Sequence, residues 1–136
     1  MPQYSKTSLG KLEACHDDLQ TIFNEVVKYF DNSIICGHRT EEKQNAAYKK
    51  GYSKLKYPKS KHNKLPSMAV DAIPFPISWD DHDRMRYFAG VVKGIAWMLR
   101  ERGEISHDIR WGGDWDMDTD LADNRFQDLV HFELKG

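Results

Sequence analysis

MAVDAIPFP, residues 68–76, is an apolar run closed by two prolines, with one ionisable side chain, Asp71, near its middle. Read with the period of two that a strand imposes, Met68, Val70 and Ala72 form one face, and Ala69, Asp71 and Ile73 the other. The run stops where Pro74 and Pro76 withhold backbone donors. LVHFEL, residues 129–134, has the same period: Val130, Phe132 and Leu134 alternate with His131 and Glu133. If both apolar faces turn toward a helical layer and the two strands pair, Asp71 and His131 meet on the opposite face. Small Ala69 leaves room beside them.

The elements around these strands set the fold class. Leu9, Leu12, Leu19, Ile22, Phe23, Val26, Val27 and Phe30 recur at helical spacing and predict one helix, with Thr7 or Ser8 at its start. SIICG (33–37) predicts a short strand. Thr40 is placed to cap a second helix over 41–50, and Gly51 to end it. A lysine-rich loop runs to Pro66. Asp80 or Asp81 opens a long helix with Met85, Phe88, Ala89, Val92, Ile95, Ala96 and Leu99 on one face, ending at Gly103. DIRWGG (108–113) predicts a strand and a turn, and residues 114–128 an acidic loop. This order predicts an α+β fold, with helices packed on one face of a small, mostly antiparallel sheet. The 136 residues fit one domain, 1–136, able to bury a core without a metal or disulfide.

Composition excludes several classes. The net charge of −1, from 20 basic and 21 acidic residues, is not the footprint of a nucleic-acid binder. The charges are unevenly spread, however: residues 38–64 are rich in Lys and Arg, whereas 114–123 hold five aspartates, as the two borders of a cleft could. No stretch has the length of a membrane span, and residues 1–18 hold no apolar core of a secretory signal, so folding in the cytosol is expected. Two cysteines, Cys15 and Cys36, read as reduced, half-buried thiols rather than a disulfide framework. A monomer is expected.

His62, nine positions before Asp71, can complete a His–Asp–His set with His131. Neutral imidazole and carboxylate suit zinc, and three protein ligands leave a fourth position for water. On the residues alone His62 also reads as a solvated loop histidine, and Asp71 as an edge or turn residue.

The motifs taken together are more specific. GHRT (37–40), Ser60-x-His62, Ala69-x-Asp71 and Asp128-x-x-His131 resemble, in order and separation, the zinc peptidases of the D-Ala-D-Ala carboxypeptidase group. The phage endolysin branch, the L-alanyl-D-glutamate endopeptidases, is the nearest in pattern. The resemblance implies a D-Ala-D-Ala carboxypeptidase/hedgehog-like fold and a Zn2+ held by His62, Asp71 and His131. It implies hydrolysis of the L-Ala–D-Glu bond of the peptidoglycan stem peptide, with Asp128 as general base and then acid. Arg39 becomes the cation for the carbonyl oxygen or a substrate carboxylate, and Ser60 supports the loop that presents His62. An endolysin of this kind is made in the host cytoplasm and reaches the wall after the membrane is permeabilised. The alternatives are a D-Ala-D-Ala carboxypeptidase, or a non-catalytic wall-binding module of the same fold. The spacer between His62 and Asp71 is longer than in many relatives, and NKLPS (63–67) is expected to shape the rim of the pocket.

Asp114, Asp116, Asp118 and Asp120 alternate as the oxygen ligands of a calcium loop do, but Thr119 stands where such a loop has glycine, and Arg125 where it has glutamate. A solvated acidic loop and a regulatory Ca2+ site both remain open. Trp111 and Trp115 flank it as cleft lining or core. His38 reads as structural or pocket wall, and His16, His82 and His107 show no partner pattern.

Overall fold

Four antiparallel strands pair in the order β1–β2–β4–β3: β1 Asn32–Cys36, β2 Ala69–Pro74, β3 Asp108–Trp111 and β4 His131–Lys135. The computed structural model describes residues 2–121 and 127–136. At the centre of the sheet Val70 lies opposite Phe132, and Asp71 opposite His131. The alternation then sorts the side chains. Ile34, Val70, Ala72, Ile109, Phe132 and Leu134 enter the core, while Asp71, Arg110, His131 and Glu133 take the other side.

Helices α1 (Lys6–Glu13), α2 (Asp17–Val26) and α4 (His82–Glu101) cover the core side. Leu12, Leu19, Ile22, Phe23 and Val26 from the first two meet Phe88, Ala89, Val92, Ala96 and Leu99 from α4. Phe132 is packed edge-on between Phe23 and Phe88. Helix α3 (Glu41–Lys49) begins at Thr40, whose hydroxyl accepts the Lys43 N–H, and ends at Gly51, at φ +82°. Asp81 caps α4. Among the described residues no helix is long and apolar enough to cross a membrane.

The single long first helix is instead two. The chain leaves α1 after Glu13, and Cys15 bridges to Ser67 in the loop before β2. His16 then caps α2, its Nδ1 accepting the Asp18 N–H at 3.0 Å, with Asp17 and Asp18 at the helix's positive end. Helical spacing persists across the break because both helices face one core. Ser5, rather than Thr7 or Ser8, caps α1. Ser8 is buried and accepts the Ile34 N–H at 3.0 Å, tying the helix to β1. The last strand starts at His131, not Leu129. Leu129 and Val130 lie in a turn, their carbonyls held by the Trp111 indole and the Ala72 N–H.

Gly112 fastens that turn. Its N–H donates to His131 O and its carbonyl accepts the Asp128 N–H, both at 2.8 Å. A Cβ at residue 112 would lie 2.0 Å from Asp128 O. Gly112→Ala should therefore destabilise the fold by about 1–3 kcal/mol in denaturant titration, as overpacking does. The fastest-exchanging new amide should be that of Asp128. An unchanged midpoint would show that the turn yields freely.

Candidate active site and metal centre

Three acceptor atoms converge on the open side of the sheet. Asp71 and His131 come from paired strands, and His62 from a 3-10 turn, Lys61–Asn63. Ser60 caps this turn: its Oγ accepts the His62 N–H at 3.2 Å, while Asn63 Oδ1 accepts the Ser60 N–H at 3.1 Å. His62 Nδ1 donates to Gly37 O at 2.7 Å, and His131 Nε2 donates to Glu133 Oε1 at 2.8 Å. A carbonyl and a carboxylate only accept, so those two nitrogens carry the hydrogens. The lone pairs of His62 Nε2 and His131 Nδ1 then face inward, 3.2 Å apart. Asp71 Oδ1 lies 3.2 Å from the first and 3.3 Å from the second. Three acceptors at that spacing repel one another unless a cation lies between them. Ligands about 2.0 Å from a tetrahedral ion stand about 3.3 Å apart, so the donor set and its spacing fit zinc.

The electrostatics express the same demand. Burial alone would lower the His62 pKa, but the Asp71 carboxylate, together with Cys36, raises it to about 10. His131 is also buried, yet its bonds to Asp71 and Glu133 raise its pKa. Asp71 is driven far below the carboxylate range by the two imidazoles, against the opposing effect of its burial. Without a metal the site holds protons; a metal must displace them. Glu133, buried but bonded to His131 and to Arg110 at 2.6 Å, is lowered to about 2.

Asp128 lies in the turn before β4, and one carboxylate oxygen is within 4.8 Å of ligand atoms of Asp71 and His131. Desolvation, then the Asp71 charge, raises its pKa to about 6. Arg39 is held from two sides. Its NH1 donates to Gln44 Oε1 at 3.0 Å and its NH2 to Asp71 Oδ2 at 3.4 Å. Gln44, fully buried on α3, also donates to Ser53 Oγ and Leu55 O. The Trp115 ring lies tilted over His131, centroids 5.3 Å apart.

All six residues singled out in the sequence, Arg39, Ser60, His62, Asp71, Asp128 and His131, meet here. Glu133, Arg110 and Gln44 complete the site and were not singled out. Glu133 was within reach of the strand period, two residues from His131 on the same face; nothing local marks Gln44. NKLPS does not shape the rim. Asn63 donates to Arg39 O, and Ser67 exchanges backbone bonds with Ala14 and His16, so the spacer runs back to the α1–α2 junction. His38 is half-buried and does not line the cleft. His16 and His107 do have a partner: Asp18 Oδ2 accepts from His107 Nδ1 at 2.7 Å, joining α2 to the start of β3. Both cysteines are free, Cys15 buried and Cys36 half-buried. Trp111 belongs to the core and Trp115 to the cleft.

A sequence profile of the phage L-alanyl-D-glutamate peptidases matches residues 2–135. The chain belongs to that family. Among solved structures it is similar to the Serratia marcescens L-Ala D-Glu endopeptidase ChiX, with a TM-score of 0.71 and 25% identity, covering 98% of this chain and 90% of that one. No curated protein sequence matches it significantly. In this member of the phage peptidase family, Glu133 sets the tautomer of His131, as carboxylates behind metal-binding histidines do. Glu133→Gln should weaken metal binding about 10–100-fold in a chelator competition while leaving the unloaded fold intact. Unchanged affinity would leave Glu133 only a structural role.

Proposed function

We propose that the chain is a zinc-dependent peptidoglycan endopeptidase cutting the L-Ala–D-Glu bond of the stem peptide. The observation that carries this reading is the convergence of three inward-facing acceptors, with Asp128 and Arg39 beside them, in a cleft. His62, Asp71 and His131 would hold the zinc, which when bound lowers the pKa of a water to ~7 and polarises a carbonyl. Asp128 takes the proton of the attacking water on its carboxylate and returns it to the leaving amine of D-Glu. Arg39 offers its charge to the carbonyl oxygen or to a substrate carboxylate. Synthesis in the host cytoplasm and action on the wall after membrane permeabilisation belong to the same proposal.

Mass spectrometry of digested peptidoglycan tests it: a new free amino group on D-Glu is expected, whereas release of D-Ala would make the chain a carboxypeptidase. Chelation should abolish the activity and zinc restore it. Asp128→Asn should lower kcat about 10²–10⁴-fold with zinc still bound; a fully active variant removes the residue from the mechanism. The sign of the pH dependence follows. Asp128 must be ionised to accept the proton, so kcat/KM falls as the pH drops through its pKa. A bound cation favours the carboxylate, which puts this acid limb at or below about 6. The residual activity of Asp128→Asn should lack it.

A second cation is supported at the acidic loop. Asp114 is buried, and its Oδ1 has no hydrogen-bond partner. Ligand oxygens of Asp114, Asp116 and Asp118 lie within 4.8 Å of one another. Thr119 adopts φ +69° at the place calcium loops give to glycine, and its N–H donates to Asp114 Oδ2. Arg125, at the last ligand position of such a loop, lies outside the described residues. We propose Ca2+ there. Calorimetry should detect binding that Asp114→Ala abolishes; equal heats from both proteins would leave a solvated acidic loop.

A further inference from the structure

The cleft has two halves of unlike chemistry that meet at the candidate site. Arg39, Tyr52 and Asp128 line both. One half, of about 530 Å³, is walled by Lys54, Lys59, Lys61 and Arg110. Its carboxylates are Asp128 and Glu133, and Glu133 is already matched by Arg110, Lys61 and the bond from His131. The other half, of about 730 Å³, is walled by Ile35, Ala47, Val130 and Trp79. Its charged lining, among the described residues, is Arg39, Asp71 and Asp128 of the site itself. Trp79 is 54% exposed, so much of its ring is available to a ligand.

We infer that these halves fix the direction in which a muramyl peptide lies, a reading that rests on the peptidase activity proposed above. The carboxylate-bearing residues beyond the scissile bond occupy the cationic half, and the sugar linked to L-Ala lies against Trp79 in the apolar half. The chemistry of the substrate is polarised in the same sense. On the L-Ala side stands an uncharged sugar joined through an amide, with apolar ring faces. On the D-Glu side stand the leaving amine, the free carboxylate of D-Glu and the carboxylate at the peptide's end. The reverse direction would bring carboxylates into a half whose one basic side chain among the described residues, Arg39, is already shared with Asp71, and would leave the lysines of the other half facing a neutral sugar. Trp79 supplies a flat apolar surface with a polar edge, the pairing a pyranose requires. Trp79 and Lys59 thus become specificity determinants on opposite sides of the scissile bond.

The test measures binding to zinc-loaded Asp128→Asn protein, with and without a second substitution, by calorimetry. Three ligands are compared: N-acetylmuramyl-L-Ala-D-Glu, the same dipeptide with acetyl replacing the sugar, and the muramyl dipeptide with both D-Glu carboxyls amidated. The sugar should tighten binding about fivefold to tenfold, and Trp79→Ala should erase that ratio. Lys59→Glu should lower the preference for acid over amide about threefold to tenfold. Both positions are exposed, and ratios within one variant cancel any general loss of folded protein. A sugar ratio unmoved by Trp79→Ala, or an acid–amide ratio unmoved by Lys59→Glu, overturns the assigned direction. Cleavage of the same ligands by the parent, read as released amino group, is scored separately. A parent that cuts but shows flat ratios loses the direction alone; one that shows the ratios without cutting retains the direction and loses the peptidase activity.

Discussion

The structure depends on the pairing of Asp71 with His131 across β2 and β4. Strand side chains alternate strictly, so the register that sets Val70 against Phe132 in the core also sets Asp71 against His131 on the far side. A slip of one residue would send the imidazole into the core and Phe132 into the cleft. The stabilisation that fixes the geometry of Asp71 and His131 is therefore hydrophobic. It comes from Phe23, Phe88, Phe132 and Leu134, none of which touches the chemistry. The site inherits its precision from fully buried residues on the opposite face of the sheet.

A layer of polar contacts then decides which atoms face inward. Gly37 O takes the Nδ1 hydrogen of His62, and Glu133 takes the Nε2 hydrogen of His131, so both rings turn lone pairs toward Asp71. Glu133 is held in turn by Arg110 and Lys61, and Asp71 Oδ2 by Arg39. Buried polar groups without partners are costly, and these are matched almost throughout. The exception among the described side chains is Asp114 Oδ1, which is why the acidic loop supports a cation more strongly than its charge alone would.

How much of this was legible in the sequence depended on the range of each interaction. Strand alternation placed Asp71 and His131 on one face, and it could have placed Glu133 there too. The cap at Thr40 and the stop at Gly51 are local signals and were readable. Asp128 was expected in the turn before the last strand, and it lies there, pinned by Gly112. The break between α1 and α2 was hidden because both helices share one apolar face. Its cause is the distant pairing of Cys15 with Ser67, and that same contact draws the NKLPS spacer away from the cleft. Gln44 was invisible for the same reason: it binds Arg39, Ser53, Leu55 and Asn63, four partners spread over the chain and assembled only by the fold.

The site's hunger for positive charge explains how it can be both prebuilt and vacant of any folding role. In a small metal-nucleated domain the ligands find one another only through the ion, and the unloaded chain is unfolded. Here the sheet pairs Asp71 with His131 and the Ser60-capped turn adds His62, so the three acceptors lie 3.2–3.3 Å apart, and protons on His62 and His131 can meet the charge of Asp71. A metal arriving at such a centre displaces protons instead of organising ligands, so its affinity rises with pH as those protons become easier to remove. Asp128, by contrast with the three acceptors, lies outside a regular element, on a turn fixed through Gly112. In the proposed reaction the three acceptors need rigidity, whereas Asp128 needs only to be close, ionised when the water attacks and partly shielded from solvent.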